Sequence, residues 1–201
     1  KEQKLFSYVR QAIDNYNMIN DGDKIAVGIS GGKDSLTYFI IEKTSTLYPK
    51  SFDLIGITIN LGFGIQDFHQ IKNYCSNLDV DNILSKHKFQ ILFLTSEKNL
   101  IHVLYVQKCV KGFKQSCKEL GFNTIAYAHH KDDMIETAIM SLLYEGGSTA
   151  SLRYSLSNTN LKVIRPLMYV SEKEVIGFAN KYQLPIAKNP CPVDGHTKRN
   201  I

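Results

Sequence analysis

Nothing in this sequence stays apolar for the roughly 18 residues that a membrane-spanning helix needs. Its first residues, KEQKLFSYVRQAIDNY, lack the hydrophobic centre of a secretory signal. A cytoplasmic location without a membrane partner is the expectation. The four cysteines, Cys75, Cys109, Cys117 and Cys191, contain no CxxC pair. That spacing argues against a zinc cage, and in a reducing compartment the four do not form a disulfide framework. Cys75, Cys109 and Cys117 read as buried or free thiols. Also missing are internal repeats, low-complexity tracts and the loop GxxxxGK followed by Ser or Thr, so the common nucleoside triphosphatase reading fails. The formal net charge of +5 is too small an excess to point to nucleic acid.

What is present suits a single globular domain over residues 1–201, with 1–20 an N-terminal helix and 185–201 a C-terminal arm. Leu5, Val9, Ile13 and Tyr16 recur at helical spacing, and INDGDK closes that helix with a turn. Apolar runs at KIAVGI, FDLIGITINL, FQILFLT and NTIAYAHH read as strands. They alternate with helical segments at DSLTYFIIEKTSTLY, IQDFHQIKNYCSNL, VQKCVKGFKQSCKEL and KDDMIETAIMSLLYEG. Gly121 marks one helix end, and Ser171 with Glu174 forms a capping-box signature for a last helix. Alternation of this kind predicts an α/β fold, a parallel sheet of about five strands with helices on both faces, whose ligands sit at the carboxyl ends of the strands.

Two motifs fall at such ends. After the first strand, Ser30, Gly31, Gly32, Lys33, Asp34 and Ser35 read SGGKDS. A glycine turn into a helix presents backbone N–H groups backed by the helix dipole, an arrangement that holds phosphate. The same glycine pair is also an ordinary turn. Ser30 and Ser35 add hydroxyl donors, and Asp34 either caps the helix or holds a divalent cation. After the fourth strand, HHKDDMIET puts His130, Asp133 and Thr137 on one helix face, with Asp132 and Glu136 beside it. Carboxylates there serve as caps, or one of Asp133 and Asp132 joins Asp34 around magnesium.

SGGKDS resembles the SGGxDS signature of PP-loop ATP pyrophosphatases, which are adenine nucleotide alpha hydrolase-like in fold. HHKDDMIET, VIRPL and NPCPVDGHTKR narrow the resemblance to the tRNA 2-thiocytidine synthetase family. The resemblance implies ATP-dependent tRNA thiolation: a nucleobase carbonyl is adenylated, then sulfur displaces AMP. It implies ATP and magnesium as cofactors, tRNA and a sulfur donor as partners, and leaves a homodimer open. Ser30, Gly31, Gly32, Lys33, Asp34 and Ser35 would cradle the phosphates. Asp133 and His130 would complete the ATP and metal site, with Asp34 and Asp133 as magnesium ligands and catalytic groups. Backbone near Thr58, at the end of the second strand, would meet adenine, and HTKR would contact tRNA phosphate.

The sequence departs from the family at one place. Members resembling it carry a CxxC pair that, with a later cysteine, holds an iron–sulfur cluster. Cys191 matches the later cysteine, as catalytic group and candidate cluster ligand, but Ile101 and Leu104 stand where the pair belongs. Neither side chain can ligate iron. The competing readings are substitution by Cys109 or Cys117, a cluster-free thiolase using Cys191 alone, and a nucleotide-binding relative without sulfur transfer. A PP-loop amide-forming ligase acting on a small carboxylate is the alternative in another reaction class.

Overall fold

In a computed structural model, the described residues are 2–44, 49–60, 73, 82–86, 111–144, 154–155 and 161–186. Cys75, Cys109, Cys191, Ile101, Leu104, the HTKR segment and the run FQILFLT lie outside them, as does nearly all of the helix expected at IQDFHQIKNYCSNL. The elements are α1 (Glu2–Asn15), β1 (Lys24–Gly28), α2 (Lys33–Thr44), β2 (Asp53–Asn60), β3 (Asn82–Lys86), α3 (111–119), β4 (Thr124–Ala126), α4 (Lys131–Tyr144), β5 (Tyr154–Ser155), β6 (Lys162–Ile164), a 3-10 turn (Pro166–Tyr169) and α5 (Glu172–Lys181). No helix among the described residues is long and apolar enough to cross a membrane.

The sheet has the order β3-β2-β1-β4-β6-β5. Every pairing is parallel except that of β5, whose Tyr154 and Ser155 run antiparallel to Val163 and Lys162 at the edge. The expected parallel sheet is therefore present with a sixth, reversed edge strand. The third strand is Asn82–Lys86, in register with Gly56–Asn60 of β2.

Central β1 explains why its sequence is continuously apolar rather than alternating. Ile25 and Val27 face one core with Leu5, Val9, Ile13, Leu36, Tyr38, Val175 and Phe178, contributed by α1, α2 and α5. Ala26 faces the other, with Ile55, Ile57, Ile125, Phe113 and Cys117, where α3 packs. A parallel strand covered on both faces buries every side chain, each large one stabilising the fold by ~1.5–3 kcal/mol. Burial pushes the Cys117 thiol up to about 12, so it remains protonated and inert at neutral pH.

Three helices stop in the same way. At Asn17 (φ 46°), Gly121 (φ 73°) and Gln183 (φ 48°) the chain turns left-handed. The following residue then donates its N–H to a carbonyl five positions back: Met18 to Ile13, Phe122 to Cys117 and Leu184 to Ala179. This is the Schellman stop, whose apolar residue after the turn returns to the helix.

At the amino end of the sheet Asp23 ties three strands together. It accepts from the Asn20 N–H at 2.8 Å, from Asn123 Nδ2 at 3.2 Å and from the Lys162 ammonium. Burial opposes its ionisation, but the Lys162 ammonium and the Asn20 N–H outweigh burial and hold the carboxyl below its usual range. Its contribution is complete above about pH 4, the ordinary carboxylate value, and is lost as pH falls from there toward the depressed folded value. Lys162→Met strands this buried carboxylate and is expected to cost about 3 kcal/mol, read from the urea denaturation midpoint at pH 7; the difference from wild type should shrink below pH 4.

Candidate active site at the sheet switch point

β1 is flanked by β2 on one side and β4 on the other, so the chain reverses its winding between β1 and β4. Loops leaving their carboxyl ends diverge and open a crevice there. SGGKDS leaves β1 into this crevice and HHKDD leaves β4.

The SGGKDS loop is braced through its own hydroxyls. The Ile29 N–H continues the ladder to the Ile57 carbonyl at 2.9 Å, after which the chain leaves the sheet. Gly31 takes φ 86°, a conformation costly for any residue with a Cβ. Ser30 Oγ lies 3.2 Å from Ser35 Oγ and accepts the Gly32 N–H at 3.3 Å, and Ser35 Oγ donates to the Gly32 carbonyl at 3.0 Å. Ser35 is buried, so these bonds brace the loop from beneath.

His130 joins the two loops. Its buried ring has Nε2 3.9 Å from Asp34 Oδ1 and Nδ1 3.4 Å from Asp133 Oδ2. Nδ1 accepts the Asp133 N–H at 3.3 Å, which assigns the hydrogen of the neutral ring to Nε2, the nitrogen facing Asp34. Asp133 Oδ2 accepts the His130 N–H at 3.0 Å, so the pair forms a reciprocal cap at the start of α4. Thr137 turns back on its helix, donating to the Asp133 carbonyl at 2.7 Å. Asp132 Oδ2 accepts the Glu172 N–H at 2.6 Å and so caps α5. Both cap and ligand readings of this motif were open in the sequence; Asp132 and Asp133 each have an oxygen committed to capping.

Asp34 differs. Its Oδ2 accepts from Lys33 Nζ at 3.3 Å, and its buried Oδ1, which takes no hydrogen bond by geometry among the described residues, has the same ammonium 3.2 Å away as an ion partner. A buried carboxylate oxygen without a donor is a hard ligand suited to magnesium, which takes one or two carboxylates and completes its shell with phosphate and water. Among the described residues no group of three or more His, Cys, Asp or Glu is arranged as a protein-only metal cage.

Lys33 also reaches across the crevice, its Nζ 3.0 Å from Glu172 Oε1 in the first turn of α5. Glu172 has no sequence signal of its own beyond lying in a capping segment. Arg165, following β6, donates from Nε to His129 Nδ1 at 3.4 Å, and the His129 ring stacks at 5.7 Å on Tyr127. Thr58 corrects an expectation. It lies within β2, opposite Leu84 of β3, rather than at the strand end, and its buried hydroxyl has no partner among the described residues. Cys117, in the apolar core beneath α3, does not replace a missing cluster ligand.

Comparison with known proteins agrees with this geometry. A family model described as the PP-loop domain matches residues 3–201. The chain is 31% identical over 202 residues to the tRNA-cytidine(32) 2-sulfurtransferase of Pelobacter propionicus, covering 97% of this chain and 74% of that protein. It is 32% identical to the enzyme of the same name from Legionella pneumophila, covering 96% of this chain and 69% of that one. The chain therefore belongs to the PP-loop family and, within it, to the family of these sulfurtransferases. Among solved structures, the U34-tRNA thiolase NcsA from Methanococcus maripaludis, determined with its 4Fe–4S cluster, superposes with a TM-score of 0.74 at 23% identity over 94% of this chain and 66% of that one. A phosphoadenylyl-sulfate reductase from Candida auris shares the fold at a TM-score of 0.56 and 12% identity, over 90% of this chain and 80% of that one.

Gly31→Ala tests the loop directly. Forcing a Cβ into φ 86° is expected to cost about 1–2 kcal/mol of stability. It should weaken MgATP binding at least tenfold by turning the loop amides, measured by thermal midpoint and calorimetry on the same preparation.

Proposed function

We infer that this chain is an ATP-dependent tRNA sulfurtransferase that replaces the C2 oxygen of a cytidine with sulfur. The observation that carries this reading is the meeting of SGGKDS with HHKDD at the switch point, in a chain 31% identical to a tRNA-cytidine(32) 2-sulfurtransferase. Position 32 is that of the named relatives.

The chemistry explains why such a site would be needed. Oxide is too poor a leaving group to be displaced from a pyrimidine carbonyl. The cytosine O2 instead attacks the α-phosphorus of ATP, forming the O–P bond and expelling pyrophosphate. A sulfur nucleophile then adds at C2, the C–O bond breaks, and AMP departs with the negative charge on phosphate. In this reading the amides of residues 31–35, with the N-terminus of α2 behind them, hold the triphosphate tail. Ser30 and Ser35 keep those amides aimed outward, and Lys33 lies over the tail. Asp34, whose buried Oδ1 lacks a donor among the described residues, holds magnesium, with Asp133 near it. When bound, the metal offsets the charge that builds on the phosphates. His130 stands between Asp34 and α4, its Nε2 3.9 Å from the Asp34 carboxylate.

By the resemblance, Ile101 and Leu104 stand where the thiolate pair belongs and neither can ligate iron, Cys117 is a buried protonated thiol, and Cys109 lies outside the described residues, so this reading is built without an iron–sulfur cluster. No step passes through one. In this reading Cys191 carries the sulfur as a persulfide loaded by a sulfane-sulfur donor: its outer sulfur bonds to C2 as AMP leaves, and an external thiol then reduces the Cys191–base disulfide to free the thiolated cytidine, in a reaction carried out in the cytoplasm.

Asp34→Ala is expected to lower ATP-dependent pyrophosphate release by at least two orders of magnitude while leaving the circular dichroism spectrum intact; unchanged turnover would remove the metal assignment. Cys191→Ser should keep pyrophosphate release and lose thiolated cytidine when a persulfide donor is supplied, assayed by nucleoside mass spectrometry. Absence of thiolated nucleoside from the wild-type chain with ATP, tRNA, a persulfide donor and a thiol reductant, and likewise with sulfide, under anaerobic conditions would reject the reading itself.

A further inference from the structure

The two histidines of HHKDD part company. His130 is buried and faces Asp34, whereas His129 is exposed, with its ring 5.7 Å from that of Tyr127. Tyr127 in turn lies 5.9 Å from Phe113, which is buried in the core beneath α3. A ladder of rings thus runs from the core to the loop that leaves β4.

Arg165 reaches the same place from β6. The Tyr127 N–H donates to the Ile164 carbonyl at 3.0 Å, which sets Arg165 beside the His129 loop, and Pro166 after it restricts its backbone. Arg165 Nε donates to His129 Nδ1 at 3.4 Å, so the neutral imidazole carries its hydrogen on Nε2. An acceptor that is a neutral ring does not cancel the guanidinium charge. The acids of the crevice gather around His130 and Lys33; the contacts of His129 with Tyr127 and Arg165 supply a ring and a cation instead.

An exposed aromatic ring beside a fixed guanidinium suits an unstacked nucleotide, with the base on the ring and its phosphate on the cation. We propose that His129 and Arg165 hold the acceptor nucleotide of the RNA substrate, the target base stacked on His129 and an adjoining backbone phosphate on Arg165. The proposal rests on the tRNA reading given above and supplies the part of the site that reading leaves open. SGGKDS and HHKDD account for ATP and metal, and the Cα of His129 is about 3.8 Å from that of His130, so a base on His129 lies next to the phosphate site it must attack.

The test is a binding titration, separate from turnover. The full chain, saturated with magnesium and the non-hydrolysable α,β-methylene analogue of ATP, is titrated against a fluorescein-labelled anticodon stem-loop RNA with cytidine at position 32 and against the same RNA abasic there, with anisotropy read over a range of salt. Wild type is expected to bind the abasic RNA about tenfold more weakly, the effect of one lost stack. His129→Ala should bind the intact RNA about tenfold more weakly and distinguish the two RNAs by less than about twofold, because both changes remove the same contact. Arg165→Gln should weaken both RNAs about fivefold and reduce the slope of log affinity against log salt by about 0.7, the value for one single-strand phosphate. Arg165→Lys keeps the charge and should keep the slope. Affinity for the ATP analogue, read on the same preparations, should stay within about twofold of wild type.

A wild-type chain indifferent to the abasic site, or a His129→Ala chain that still prefers the intact RNA tenfold, would overturn the proposal. So would an Arg165→Gln chain with the wild-type salt slope. Loss of analogue affinity in Arg165→Gln at an unchanged thermal midpoint would assign the guanidinium to the phosphates of ATP and overturn it as well. A wild-type chain that binds the analogue but neither RNA would instead overturn the tRNA reading beneath it, and the proposal with it.

Discussion

The ladder that joins β4 to β1 governs everything else about this molecule. Ile25, Ala26 and Val27 pair with Thr124, Ile125 and Ala126, and that pairing lays two distant chain segments side by side with their carboxyl ends together. Had β4 been added outside β3, the same loops would stand two strands apart and His130 could not reach Asp34. The pairing is secured at the opposite end, where Asn123 accepts the Lys24 N–H and donates to Asp23, which also receives Lys162 from β6. A polar clamp at the amino ends thus fixes the register that the carboxyl ends use for chemistry.

Electrostatics at the crevice follow from where helices begin. The N-termini of α2, α4 and α5 meet there, contributing partial positive charge and unpaired N–H groups. Asp34, Asp132, Asp133 and Glu172 answer them, with the ammonium of Lys33 between Asp34 and Glu172. A triphosphate entering among these carboxylates is better accommodated with a divalent cation than alone. The site distinguishes among its acids by hydrogen bonding. Asp132 and Asp133, at the start of α4, take backbone N–H groups, whereas Asp34 and Glu172 share the Lys33 ammonium.

Much of this could be read from residue order. KIAVG followed by SGGKDS announces a buried strand that turns through glycine into a helix, and the structure has that turn, with Gly31 at φ 86° and the Ser30 hydroxyl on the Gly32 N–H. Ser171 and Glu174 form the capping box their spacing announces, the Glu174 carboxylate taking the Ser171 N–H at 3.0 Å. Cys117 is a buried thiol, as a lone cysteine on a helix with Phe113 should be. β3 was not legible, since Asn82–Lys86 is neither strongly apolar nor alternating and is a strand because β2 offers it an open edge. Nor was β5, whose two residues pair only where β6 passes. Glu172 was hidden for a different reason. At the start of a helix it reads as a dipole partner, and its contact with Lys33 exists only once the sheet has closed the distance between α2 and α5.

The double use of the HHKDD segment shows how capping and ligand binding coexist. A carboxylate engaged by one backbone N–H keeps a second oxygen, so capping of α4 by Asp133 through Oδ2 does not by itself rule out a further role. Capping also orders the carboxylate before any ligand arrives, which spares the entropy of fixing it on binding. His130 gains from the same arrangement: by accepting the Asp133 N–H at Nδ1 it commits its Nε2 hydrogen toward Asp34. A helix start that satisfies itself internally is thus also a start that presents its side chains in one fixed order, and α4 and α5, both capped in this way, flank an α2 start whose amides stay open to a nucleotide.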